Sequence, residues 1–171
     1  MKRSAVVFAV ALVAICAPAQ AALFTFNANL SGLNETVPNA SPGTGFGTVV
    51  LDDVAGTFTA DLSWSGLVAA ATAGHIHGPA PQGTNAAVLF PFTVPNVTAG
   101  SMLQQSFAIT PTQITQLKTG LYYMNLHTST FPGGEIRGQL LEAVPEPVTL
   151  GLIGVGLLGL VGARRLRWAK R

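Results

Sequence analysis

Three histidines are the residues of this 171-residue chain best suited to chemistry, and the chain has no others. His75 and His77 are separated by a single residue, and His127 lies far along the chain. Alternate residues of a β-strand project from the same face, so two imidazoles at this spacing can reach one ion. A third imidazole from another strand would complete a set that suits zinc or copper. The candidate metal ligands are therefore His75, His77 and His127.

Such a site needs two strands side by side. Strands are predicted over 71–77 and 121–128 from the alternation of side-chain character. In the second strand, His127 has the opposite parity to the apolar row Tyr122, Met124, Leu126. If that row and Ile76 face the core, all three histidines face outward. They converge only if the two strands are neighbours.

The plainer interpretation, preferred from sequence alone, is that the histidines are hydrogen-bonded surface or loop-anchoring groups. Arg137 could steer an anion toward a metal site, but a strand carboxylate such as Glu135 is its expected partner. A redox enzyme is disfavoured because the chain has no cysteine pair, no second histidine group and no long charged loop. Asp52 and Asp53 fall in a predicted turn. No catalytic residues and no organic-cofactor residues are nominated.

The remaining pattern predicts an antiparallel all-β sandwich or barrel with one short helix. Thr110, Pro111 and Gln113 form a helix start, and Gly120 is the matching stop, so a helix is expected over 111–118. Pro91 and Pro95 confine the neighbouring strand to an edge or a crossover. The further strands are predicted over 24–31, 46–51, 58–64, 86–90, 101–109 and 135–141.

The two ends of the chain have the composition of targeting segments. Residues 1–21 begin with Lys2 and Arg3, continue as an apolar run and end on small residues around Ala19 and Ala21. This predicts a secretory signal peptide cleaved after Ala21. Residues 148–163 are uncharged and are followed by the basic tail 164–171, which predicts a transmembrane anchor with its tail in the cytoplasm.

The domain between these ends, residues 22–144, is acidic although the whole chain is basic. It contains two basic residues, Lys118 and Arg137, and six carboxylates, which gives a formal charge of −4. No nucleic-acid partner is therefore expected. The only cysteine, Cys16, lies in the signal segment, so the domain must fold without a disulfide.

The segment 145–171 resembles a PEP-CTERM sorting signal. The resemblance rests on Pro145-Glu146-Pro147, the glycine-rich apolar stretch and the terminal arginines. It implies a Gram-negative bacterium that makes exopolysaccharide. It also implies an exosortase that recognises and removes the tail, with only transient residence in the inner membrane.

Four motifs are spread over nearly the whole domain: 29–32 (NLSG), 74–79 (GHIHGP), 121–128 (LYYMNLHT) and 132–139 (PGGEIRGQ). In order and spacing they resemble a CHRD domain, the module found in chordin and in many secreted microbial proteins. The resemblance implies an immunoglobulin-like β-barrel, loosely likened to copper-zinc superoxide dismutases. The histidine pattern is also similar to the copper ligands of those enzymes. The resemblance brings no settled molecular activity.

Together these features predict an exported β-sandwich module, without enzymatic activity, that binds or has a structural role at the cell surface or in the matrix. Exopolysaccharide and another surface protein remain open as partners. The first alternative is a copper- or zinc-binding protein that uses the three histidines. The second is a weak enzyme of the superoxide dismutase type.

Overall fold

The computed structural model describes residues 23–143. The predicted signal segment 1–21 and the tail 145–171 lie outside the described residues. Within 23–143, no helix is long and apolar enough to span a membrane. The described elements are β1 (Leu23–Ser31), a 3-10 turn (Gly32–Asn34), β2 (Thr44–Asp52), β3 (Thr57–Ser65), β4 (Ala71–His77), β5 (Val88–Phe92), β6 (Gly100–Ala108), α1 (Pro111–Lys118), β7 (Tyr123–Thr128), β8 (Ile136–Gln139) and β9 (Leu141–Glu142).

The strands form one antiparallel sheet that curls into a nearly closed barrel. Their order is β5-β4-β7-β8-β1-β2-β3-β6, with β9 paired to β1. The two edge strands, β5 and β6, approach each other. Gln105 closes the gap: its Nε2 donates to Thr93 O at 2.7 Å, and its Oε1 accepts from Thr93 N at 3.0 Å. The predicted all-β antiparallel fold is confirmed.

The core lies inside the curl and is built from alternate residues of each strand, because a period of two puts every second side chain on the inner face. Phe26, Val49 and Leu62 are at most 1 % exposed. Phe58 meets Phe90 edge-on, with ring centroids 4.8 Å apart. This contact brings β3 and β5 together across the barrel. The strands predicted over 24–31, 46–51 and 58–64 are confirmed.

Helix α1 begins with the predicted capping box. Thr110 Oγ1 accepts from Gln113 N at 3.3 Å, and Gln113 Oε1 accepts from Thr110 N at 3.0 Å. These bonds satisfy donors that a helix start leaves free. Leu117 is buried, and Gly120 follows the helix with φ 73°, which suits a glycine stop.

The predicted strands other than 71–77 differ from the observed ones by a residue or more at one end or both, and three of these differences arise where loop contacts compete for backbone groups. β5 begins at Val88, since Ala86 belongs to the loop 78–87, where its N–H donates to Tyr123 Oη at 3.2 Å. β7 begins at Tyr123, because Leu121 O accepts from Ala80 N at 2.8 Å. The predicted strand 135–141 is divided into β8 and β9 at Leu140. The edge position of β5, which contains Pro91, agrees with the prediction.

Candidate metal centre

β4 and β7 are neighbours in the sheet, which is the condition that the histidine hypothesis required. Their antiparallel register places His75 opposite Asn125 and His77 opposite Tyr123, with Ala73 opposite His127. Cross-strand partners share a face. The histidines therefore lie together on the outer face of the barrel. Ile76 and the row Tyr122, Met124, Leu126 point inward and are buried.

The three rings form one cluster. His75 Nδ1 and His127 Nε2 are 3.1 Å apart, and one nitrogen from each ring lies within 4.8 Å of the other two. Two nitrogens bound to one tetrahedral ion at a usual zinc–nitrogen distance are roughly 3.3 Å apart. The His75–His127 separation is therefore close to that of two ligands of one ion.

Backbone carbonyls fix the orientation of two of the rings. His77 Nδ1 donates to Ala86 O at 3.0 Å, and His127 Nδ1 donates to Pro132 O at 2.9 Å. A carbonyl oxygen can only accept, so each Nδ1 carries the hydrogen and each neutral ring keeps a lone pair on Nε2. Metal-ligating histidines usually have such a partner on their second nitrogen. The loops 78–87 and 130–134 thus set the tautomers that a ligand set needs.

One acceptor of the cluster has no donor. His77 Nε2 is buried and has no hydrogen-bond partner among residues 23–143. His127 Nε2 lies 3.1 Å from His75 Nδ1, which can donate to it, and 3.1 Å from Asn125 Oδ1. A buried acceptor without a donor costs free energy unless a cation or an added donor supplies the missing contact. The chemistry of the cluster fits a bound cation.

Burial favours the neutral form of two of the rings, those of His75 and His77. Burial, with the nearby rings of His127 and His77, lowers the pKa of His75 to about 4. Burial is also the largest cause that lowers the pKa of His77, with the charges of His127 and Arg137 acting in the same direction. A neutral imidazole is the form that binds a metal ion. Both residues are therefore in the ligand form at neutral pH.

Arg137 lies on the outer face, and within residues 23–143 its guanidinium has no carboxylate partner. It lies 3.4 Å over the Tyr123 ring and donates to Thr84 O at 2.7 Å. The predicted pairing with Glu135 is wrong. Glu135 accepts instead from Ser41 Oγ, Thr128 Oγ1 and Val68 N, because these loop donors surround it in a fully buried position.

Two family models match the chain. The first, the CHRD domain, matches residues 26–140, and the second, the PEP-CTERM protein-sorting motif, matches residues 143–166. The chain belongs to the CHRD domain family. No curated protein and no solved structure shows significant similarity to it. CHRD domains are non-catalytic extracellular modules, and the sorting motif implies processing by an exosortase-type enzyme.

Close backbone approaches explain two glycines in the CHRD motifs. A Cβ on Gly138 would lie 2.5 Å from Asn29 O of the neighbouring strand, and a Cβ on Gly78 would lie 3.0 Å from Leu121 O. Only glycine allows these contacts without a shift of the backbone. They hold β8 against β1, and they hold the loop 78–87 against the start of β7.

Sequence reasoning about this CHRD domain named all three residues of the cluster, and the structure brings them together. It described them as hydrogen-bonded surface or loop-anchoring groups, and His77 and His127 do bind loop carbonyls. His77 is not a surface group, since it is only 8 % exposed beneath the loop 78–87. It missed the carbonyls of Ala86 and Pro132, which no side-chain pattern reveals. Asn125 and Tyr123 share the parity of His127, so the alternation of β7 could have identified both.

Proposed function

We propose that the protein is an exported CHRD module that binds one copper or zinc ion through His75, His77 and His127. The observation that carries the proposal is the convergence of ring nitrogens whose opposite nitrogens are held by backbone carbonyls. His77 and His127 would bind through Nε2. His75 would bind through Nδ1 after its hydrogen shifts to Nε2 of the same ring. Metal binding is compatible with a loop-anchoring role, because His77 and His127 would each use Nδ1 to donate to a loop carbonyl and Nε2 to bind the ion.

Copper is the tighter of the two candidate ions for such a nitrogen set, since divalent copper stands above zinc in the usual affinity order. Three imidazoles leave a position open on a four-coordinate ion. When bound, the ion would supply a Lewis-acidic or redox-active centre at the cell surface. The covering loop 78–87 would limit access to it.

Elemental analysis tests the proposal. The protein is purified without a histidine tag, dialysed against excess copper or zinc, and then dialysed free of unbound metal. One equivalent of metal per chain is expected, and less than a tenth of an equivalent would end the metal hypothesis. All histidines of the chain belong to the cluster, so His77→Ala should lose the ion. Glu142→Gln, on an exposed carboxylate of β9, should retain it.

The delivery of the module rests on the sorting motif. We propose that residues 1–21 are a signal peptide, that 22–144 form the exported domain, and that 145–171 are the sorting segment with a membrane anchor at 148–163. The final location is the outer surface or matrix, where exopolysaccharide or a surface protein is the partner.

Deletion of 145–171 should release the domain from the membrane. An unchanged membrane fraction would contradict this topology. Replacement of Pro145-Glu146-Pro147 by alanines is the matched control, because it should retain the anchor while blocking processing.

A further inference from the structure

A second candidate site lies beside the histidine cluster. An open cleft of about 390 Å³ runs between the segments 35–39 and 130–134, with Asn85 at its side. Its size is within the range of small-molecule sites, roughly 300–1,000 Å³. Of the described residues that line it, none is a histidine. We call it the Glu35 cleft.

The side-chain amide of Asn85 is fixed in the wall of this cleft. Its Oδ1 accepts from Arg137 Nη1 and from Thr36 Oγ1, each at 3.1 Å. Arg137 is 1 % exposed, whereas Asn85 is exposed. Two donors on the oxygen determine the orientation of the whole planar group. The Nδ2 hydrogens are thereby held in place as donors, and such fixed polar groups give a ligand site its specificity.

Glu35 supplies a hydrogen-bond acceptor, where Asn85 supplies donors. Its side chain is 8 % exposed, and Oε1 has no hydrogen-bond partner among residues 23–143. Burial raises the pKa of Glu35 to about 7, although the charge of Arg137 acts against the shift. A Cβ at position 134 would collide with the carboxyl group, so Gly134 leaves the room that the carboxyl occupies. Oε1 is itself covered, so a ligand hydroxyl would reach it after a small rotation of the Glu35 side chain, and that contact would offset the cost of its burial.

Thr36, Asn39 and Thr130 add further polar groups to the wall, and much of the remainder is apolar. Val37 is 82 % exposed, and Pro38, Phe131 and Pro132 line the same cleft. An apolar wall with a few fixed hydrogen-bonding groups matches a ring that carries hydroxyls on its rim and C–H groups on its face. The nearby positive charge of Arg137 disfavours a cationic ligand, and the domain charge of −4 disfavours an anionic one.

We propose that the Glu35 cleft binds one or two neutral sugar units, with Asn85 Nδ2 donating to a sugar oxygen and Glu35 accepting from a sugar hydroxyl. This rests on the proposed matrix role, to which it adds a ligand class and a site. No metal ligand lines the cleft, although the two sites share two segments: Pro132, whose carbonyl accepts from His127, and the loop 78–87, in which Asn85 precedes Ala86.

Saturation-transfer NMR on the exported protein, purified in a zwitterionic detergent without a sugar headgroup, tests the proposal. The probes are the methyl glycosides of glucose, galactose and mannose, together with dextran. Transfer to at least one glycoside is expected, with a dissociation constant on the order of 1 mM. Binding of dextran as well would indicate a polysaccharide chain as the ligand, and binding of glycosides alone would indicate free sugars. No transfer to any probe at tens of millimolar, on the order of ten dissociation constants, would overturn the proposal.

Matched variants locate the site. Asn85→Asp keeps Oδ1 for Arg137 and Thr36 but removes the donor, so affinity should fall about tenfold or more. Glu35→Leu removes the acceptor and should also weaken binding, while Glu142→Gln should leave it unchanged. Equal affinity in Asn85→Asp and the parent protein would overturn the assignment of the site. His75→Ala should lose metal and keep sugar binding, because the only side-chain hydrogen bond of His75 among the described residues is to His127. This variant separates failure of this proposal from failure of the metal centre.

Discussion

On the inner face of β4 and β7, Ile76, Met124 and Leu126 pack into the barrel and are at most 1 % exposed. On the outer face of the same strands, His77 and Asn125 are polar. They are nearly as well buried, because the loop 78–87 covers this part of the face. The inner face needs only shape and apolar area. The outer face needs a partner for every polar atom, and His77 Nε2 has none among the described residues. A buried polar atom without a partner is where a ligand is most expected.

The largest expected effect is on the inner face. Leu126→Ala removes a fully buried side chain from β7 and should lower the free energy of unfolding by about 2–5 kcal/mol. His127→Ala, one residue along on the outer face, should cost less, about 1–2 kcal/mol in metal-free protein, because it removes the hydrogen bonds to Pro132 O and His75 Nδ1 but leaves the apolar core intact. Urea denaturation measures both. Equal losses would show that the histidine is a packing residue like the leucine.

Metal affinity should depend on the outer face and hardly at all on the inner face, the opposite of the stability effects. His77→Ala should weaken copper binding by more than about 100-fold, since loss even of a group that orients a ligand costs 10- to 100-fold. At temperatures where the variant is folded, Leu126→Ala should bind copper with an affinity within about threefold of that of the parent protein. This limit reflects the usual scatter in measured contributions of single interactions. Competition against a chelator of known affinity gives both values. A Leu126→Ala protein that is folded yet has lost its metal would remove the distinction between the two faces.

The outer face should also give the protein an acid-sensitive stability. The folded-state pKa of His75 is about 4, below its ordinary value of 6.5, so the unfolded chain takes up the proton first. Stability from this group is complete above pH 6.5 and is lost as the pH falls toward 4. Denaturation of metal-free protein across this range should show the decline, and His75→Asn should reduce its slope. A parallel slope in the variant would assign the decline to other groups.

The smallest expected effect is that of a reductant. The chain has one cysteine, Cys16, in the segment 1–21, so no disulfide can support either face. The thermal unfolding midpoint of the domain should therefore be the same with and without dithiothreitol. A lower midpoint in reductant would mean that the domain in solution depends on a covalent link between chains.

The sequence predicted most of the architecture because alternation and turn residues are local signals. The strand over 71–77 and the helix after Thr110 have the bounds that the structure shows. The histidine cluster was also predictable, since parity assigned the faces. The neighbouring positions of β4 and β7, however, depend on the sheet order, which alternation does not encode.

The contacts that loops supply could not be predicted in the same way. Ala86 O and Pro132 O orient the rings of His77 and His127, but any residue has a carbonyl, so their sequence positions carry no signal. Glu35 and Glu135 are both buried carboxylates on loops. Only their three-dimensional neighbours show that Glu135 accepts from three donors while Glu35 keeps an oxygen without a partner.

Anomalous X-ray diffraction at the copper edge, from crystals of copper-loaded protein made without a histidine tag, tests the central claim most directly. We expect one anomalous peak at bonding distance, about 2.0–2.1 Å, from His75 Nδ1, His77 Nε2 and His127 Nε2. No peak at these nitrogens, or a copper ion held elsewhere on the domain, would contradict the proposed metal centre.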